Sequence, residues 1–559
     1  MRLLLAALVA LVLLAGNGSL RGQDDGELAS WAPSTVGAWL ELSLDDPAAL
    51  ERGLNRGLFS GAFLQPVRPA PEEAVPLDAF FPLNMLDLET ASFSQLVLPW
   101  VGDRVGIAWE DLDLTDTDSA TDPLLILPAR DSFAAAANLS AVLAGQDLLQ
   151  SEVTDSATVY QGDRSTIAIT PSTVLIGPDA MVREALSAHF TDAPSLAEST
   201  DYGAIRAGLP AEHDLQFFAR GAAAASALPA LMSLNGEAGA LLESYGAALG
   251  GQPASAVLQG QADALGVALD LPILSAQPVR AEVAVLAPEA DAGDSAAFSE
   301  RVLSYVPRRA MLVLSAADGA TLADLALTAL PYGAAGPALL NTLPLQLILP
   351  AGAVPLPSAA DAQFALQTLE TTLEANGIDL ADLRDALNGS GVVALLPRPN
   401  NPLPGTGARA DVLVAVESER APDIADGVTV FLDLLNVTVE TQTSPAGEVR
   451  FTVAAEGSTE PLLAYAVTDG VFLLGTGGAL DEALRAGIGD NQLVGEVRWA
   501  DAGAPAPGLY LDMDRLYNAF LGGPTGGASG PVTRLGITGT TDDAGLLRLS
   551  AVASAISGN

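Results

Sequence analysis

From Ser34 to Leu44 the chain alternates, with Val36, Ala38, Leu40, Leu42 and Leu44 on one side and Thr35, Gly37, Trp39, Glu41 and Ser43 on the other. A period of two predicts a β-strand. Asp46-Pro47 then predicts a helix start, because aspartate caps and proline suits the first turn, and Leu50, Leu54 and Leu58 repeat along one stripe. The proline-rich passage 65–76 reads as a loop. Strands are predicted over 104–109 and 124–127, a helix over 131–143, a strand pair around 158–169, a strand over 174–176 and a helix over 178–189. Strands over 215–219, 266–271 and 279–286 complete this stretch.

The same order returns downstream. A strand over 310–314 is followed by helices over 321–330 and 358–376, the second opened by Ser358 and Asp361 and stopped by Gly377. Strands over 392–396 and 412–416, a helix over 422–435, strands over 449–454, 463–467 and 471–474, and a helix over 479–486 come next. Strands over 508–513, 533–538 and 546–552 end the chain. Landmarks recur: TPSTVLIGPDAMVREAL at 170–186 and TDGVFLLGTGGALDEAL at 468–484, Pro33 and Pro307 each before a strand, LDL at Leu86 and IDL at Ile378, DPLLILP at Asp122 and DVLVAV at Asp411. A duplicated unit is the economical reading. Runs of strands joined by short turns favour antiparallel pairing, so the expected class is α+β, in two tandem similar modules, each a mostly antiparallel curved sheet with packed helices. The modules are placed at residues 28–288 and 300–555, and the length of 559 residues independently calls for two cores.

Met1-Arg2 followed by an apolar run from Leu3 to Ala15, with Gly16-Asn17-Gly18 after it, has the layout of a secretory signal peptide, assigned to residues 1–22. An exported protein of the extracellular space or cell envelope is therefore expected. Later apolar runs, such as 221–234 and 343–357, are short or broken by proline, and no transmembrane segment is expected once the signal is removed.

The formal charge is −43, all 25 basic residues are arginine, and cysteine is absent. Such a field repels phosphate backbones, which argues against nucleic acid. Without cysteine or lysine there is no disulfide, thiol chemistry, Schiff base or serine–lysine catalysis. Only 17% of residues are charged while 49% are apolar, so broad neutral faces are expected.

Few constellations carry chemistry. Glu110, Asp111, Asp113, Asp116, Asp118 and Asp122 form an acidic stretch, the one weak calcium candidate, but the register from Asp111 has Asp116 where an EF-hand needs glycine and Asp122 where it needs glutamate. Gly475, Gly477 and Gly478 follow a strand and open a helix, yet Leu480 replaces the last glycine of a dinucleotide fingerprint. His189 and His213 have no metal spacing, and no serine sits in a G-x-S-x-G elbow. Trp39, opposite Leu40 and Leu42, is expected either to line a second layer or to face a groove. Trp499 aligns with Tyr202.

The run Pro99-Trp100-Val101-Gly102-Asp103-Arg104-Val105-Gly106-Ile107-Ala108, together with Ser195-Leu196-Ala197, Tyr202 and Leu209-Pro210, resembles a bacterial family of exported proteins catalogued as a domain of unknown function, number three-three-five-two. The likeness runs from about residue 28 to 555, and the second unit departs from it with Asn388-Gly389-Ser390-Gly391 at the motif's place. The resemblance implies export and a duplicated α+β body, and no activity, cofactor or catalytic residue. The leading expectation is a non-catalytic envelope protein that binds or scaffolds an unknown protein or apolar ligand, with no cofactor and no metal. A carrier of lipid or another apolar molecule, and a carboxylate-based extracytoplasmic hydrolase, are the alternatives.

Overall fold

The computed structural model describes, apart from short gaps, residues 26–51, 93–112, 122–226, 263–286, 298–319, 385–398, 410–443, 449–454, 461–520, 534–541 and 546–554. The protein is a mixed α and β structure whose strands all pair antiparallel. Ten strands fall in the first half: β1 (Ala38–Ser43), β2 (Arg104–Trp109), β3 (Leu124–Pro128), β4 (Leu149–Val153), β5 (Thr158–Gln161), β6 (Thr166–Ile169), β7 (Thr173–Gly177), β8 (Leu215–Arg220), β9 (Ala264–Asp270) and β10 (Val279–Leu286). Ten fall in the second: β11 (Leu312–Ala316), β12 (Gly391–Pro397), β13 (Ala410–Glu417), β14 (Val439–Thr443), β15 (Val449–Ala454), β16 (Pro461–Thr468), β17 (Val471–Thr476), β18 (Gly508–Asp512), β19 (Arg534–Thr541) and β20 (Leu546–Ser554).

In the first half the strands lie side by side as β4-β5-β6-β7-β3-β2-β1-β8-β9-β10. In the second they lie as β14-β15-β16-β17-β13-β12-β11-β18-β19-β20. The two orders match strand for strand. The halves meet where β10 pairs with β20, Val279 to Leu286 against Ala553 to Leu546.

Among the described residues, helices of five residues or more cover this ladder: α1 (Ser132–Gly145), α2 (Asp179–Phe190), α3 (Thr200–Gly208), α4 (Ala421–Leu434), α5 (Ala479–Gly487), α6 (Val497–Asp501) and α7 (Met513–Phe520). In the first half Leu40, Ile107, Leu125, Ile176, Phe217 and Val267 pack under Ala135 and Leu139 of α1 and under Trp100. On the opposite face Trp39, Ala108, Ile126, Leu175 and Phe218 pack under Met181, Val182 and Ala185 of α2 and Tyr202 and Ile205 of α3. Helices α5 and α6 cover one face of the second half and α4 the other.

Covering both faces changes what the alternation in β1 means. The pattern predicts a strand and leaves the use of its second side open, and every residue of β1 is buried, Glu41 and Ser43 included. Trp39 is wholly buried and lines the second layer rather than a groove, its ring pressed on Gly106, where a Cβ would lie 2.1 Å from it.

Most elements stand where the pattern puts them, but not all. The opening strand of the second half is 312–316 instead of 310–314, and Met513 starts α7 instead of ending a strand. Strands β4 and β14 and helices α3, α6 and α7 were not expected. Asp46 does begin a helical turn, its carbonyl accepting from the Leu50 amide at 2.9 Å, while Leu54, Leu58 and the expected helix over 321–330 lie outside the described residues, as does nearly all of that over 358–376. No described helix is long and apolar enough to cross a membrane.

Candidate functional site

Antiparallel register lines up polar residues that are far apart in sequence. Glu41 pairs with Gln216, Gln216 with Ala268, Ala268 with Glu282, Glu282 with Ser550, and Ser550 with Thr538. Directly paired residues share a face, so a polar row crosses the middle of the ladder on the side that carries α3. At one end Glu41, fully buried, accepts from Arg104 Nη1 at 2.7 Å. Arg104 Nη1 also lies 3.3 Å from His213 Nε2, and His213 Nδ1 lies 3.4 Å from the Pro210 carbonyl. Neutral imidazole fits both contacts, with Nε2 accepting and Nδ1–H donating. Burial, reinforced by the Arg104 charge, pushes the His213 pKa down to about 3.

At the centre Ser550 Oγ donates to Glu282 Oε1 at 2.7 Å. Burial raises the Glu282 pKa, with the Ser550 hydroxyl and Arg280 opposing. Asp270, paired with Arg280, is pushed up to about 6 by burial, opposed by Arg280 and reinforced by Glu282 and Glu212. Beside this group a cleft of about 340 Å³ is lined by Gly208, Leu209, Pro210, Glu282, Thr538, Arg548 and Ser550.

Asp270 and His213 shift stability with pH in opposite senses. An acid whose folded pKa lies above its unfolded value binds protons more tightly when folded, so Asp270 subtracts stability as pH rises from about 4 through 6. His213, with its folded pKa lowered, subtracts stability as pH falls from 6.5 towards 3. Asp270→Asn is therefore expected to gain stability relative to wild type at pH 7.5 and to show little difference at pH 4. Urea unfolding at the two pH values checks this, and equal differences at both would refute it.

A second polar centre sits in the other half. Arg398 Nη1 reaches Asp411 Oδ1 at 2.9 Å and Oδ2 at 3.2 Å with both residues buried, and Arg309 bridges Asp411 and Glu482. This ion pair explains the glycine-rich turn. Gly477 has φ +54°, and a Cβ there would lie 2.2 Å from Arg398 Nη1 and 2.4 Å from Asp411 Oδ1. The space beside Gly477 is filled by this salt bridge.

Other expected residues are scattered. Glu110 and Asp111 line an open cleft of about 460 Å³ with Asp201, Asp263 and Arg220, Asp122 is exposed at the start of β3, and Asp113, Asp116 and Asp118 lie outside the described residues. Among the described residues no three acidic or histidine side chains are grouped to hold a metal ion. His189 stacks on Trp31 with ring centroids 3.5 Å apart. Trp499 and Tyr202 do occupy like places: Trp499 packs on Tyr510 at 5.2 Å and Tyr202 on Phe218 at 5.3 Å. Glu41, Arg104, Asp270 and Glu282 were not singled out from the sequence. The available signal was a charge set in an apolar strand, alone in AWLELS for Glu41 and beside Arg280 in VRAEVAVL for Glu282.

A family model described as "Protein of unknown function (DUF3352)" matches residues 80–551. No curated protein matches the chain. A solved structure titled "Structure of crystal form III of TP0453" aligns at 9% identity over 49% of this chain and 83% of that one, with a TM-score of 0.25, too low to carry an argument.

Proposed function

The chain belongs to the DUF3352 family of proteins of unknown function, and from that premise we propose that it is an exported, non-catalytic scaffold or binding protein of the cell envelope, made of two tandem copies of one α+β module. The observation that carries this reading is the identical side-by-side order of the ten strands in each half. Contacts at matching places support it: Pro33 bridges Ser195 as Pro307 bridges Gln492, and the Leu196 amide donates to the Ala32 carbonyl as the Leu493 amide does to Val306.

The charged groups differ between the halves, and each is engaged by a structural neighbour. Glu41 is held by Arg104, Asp411 by Arg398, and Asp512 by Arg498 and Arg515. Glycoside hydrolysis by carboxylates needs two of them flanking one reacting bond, an arrangement that these ion pairs do not serve. The clefts carry charged linings, Arg220 with four carboxylates in one and Glu282 with Arg548 in the other, which suits a polar partner better than an apolar cargo.

Purified protein offered a panel of chromogenic esters, phosphoesters and glycosides is expected to give no turnover that Glu282→Gln or Asp270→Asn removes. Turnover abolished by either single change would overturn the non-catalytic reading. Native mass spectrometry of protein isolated from the envelope is expected to show the bare chain, and a bound lipid would favour the carrier.

A further inference from the structure

The register of the seam carries more than the strand order. The sequence repeat sets Ile176 against Leu474, and the ladder carries that equivalence inward. Ile176 pairs with Leu125 as Leu474 pairs with Val414, Leu125 with Ile107 as Val414 with Val393, and Ile107 with Leu40 as Val393 with Leu314. Leu40 pairs with Phe217 as Leu314 with Leu509, Phe217 with Val267 as Leu509 with Ile537, and Val267 with Val283 as Ile537 with Ala551. Val283 is thus the counterpart of Ala551, and Glu282 of Ser550. Across the seam Glu282 pairs with Ser550, Val283 with Leu549, and Ala281 with Ala551. Each residue of β10 therefore faces the counterpart of a residue the same distance beyond Glu282, and Glu282 faces its own counterpart.

Two copies of one edge strand that pair antiparallel are related by a two-fold axis whatever their register, and the register decides where the axis falls, here at Glu282 and Ser550. That arrangement is the geometry of an isologous dimer contact. The flanks obey it: Arg280 and Arg548 occupy equivalent places either side of the axis, and Gly208 lies against Ala284 as Gly503 lies against its counterpart Val552.

Resting on the tandem-copy reading, we propose that the β10 edge of the module is a self-complementary dimerisation surface whose natural partner is a second copy of the module, here supplied by the same chain. Each half can then pair with its own kind. In a pair of first halves Glu282 would face Glu282, a like-charge contact that disfavours pairing. In a pair of second halves Ser550 would face Ser550, with no such cost.

The test uses the whole chain with a protease site placed between Pro288 and Phe298, cleaved after folding. Isotopically heavy and light batches are mixed in urea raised until heavy first halves are found with light second halves, which proves exchange, and the urea is then diluted. Native mass spectrometry is expected to show pairs of second halves, fewer pairs of first halves at pH 7.5, and a several-fold rise in the latter for Glu282→Ser. Exchange that yields only first-with-second pairs, in wild type and in Glu282→Ser, would overturn the two-fold seam. The copy reading fails separately, if an experimental structure gives the halves different strand orders.

Discussion

Asp411→Ala is expected to cost about 3–5 kcal/mol, because it leaves the buried Arg398 cation without its bidentate carboxylate. Arg398 is 7% exposed and Asp411 1%, so water cannot take the place of the lost partner. Removing one member of a buried pair costs far more than the pair contributes over an apolar replacement. The control is Asp122, which the sequence aligns with Asp411 and which is exposed. Asp122→Ala should change stability by less than about 0.5 kcal/mol, as surface substitutions do. Hydrogen exchange across β12 and β13 reads the local loss, and equal effects of the two changes would show that burial is not the cause.

Trp39→Ala is the second large effect, expected at about 3–5 kcal/mol, the range for deleting a large buried aromatic. The ring is wholly buried, sits over Gly106 and packs with the second layer under α2 and α3. No larger residue at 106 can refill the space without a matching cut at 39. Trp39→Phe should recover most of the loss, and Gly106→Val in the wild-type background should destabilise, because its Cβ would fall inside the ring's contact distance. Urea unfolding followed by hydrogen exchange in β1 and β2 separates these outcomes. Protection in β1 unchanged by Trp39→Ala would refute the packing role.

Both effects come from residues whose surroundings the sequence describes only in part. Gly477 looks, on spacing alone, like part of a phosphate-binding turn, and its reason emerges only when Arg398 and Asp411 are seen filling the space beside it. The alternation places Glu41 only on the side opposite Leu40 and Leu42, and it is buried because helices cover both faces. His213 carries no spacing signal, since its partner Arg104 is 109 residues away.

Alternation and helical period, which act within a few residues, determined the strands from Ala38 to Ser43 and from Val279 to Leu286 and the helices α2, α4 and α5, and the recurrence of their order was legible in the letters. Short strands such as β4 and β14 span too few residues for a period to decide them, so their state is set by the neighbours they pair with. The register of β10 on β20, the polar row from Glu41 to Thr538 and the burial of Leu546 beneath the first half belong to the tertiary structure alone. Across the seam they depend on pairs of residues 260 to 274 positions apart, and no local preference of the chain encodes which residue will stand opposite which.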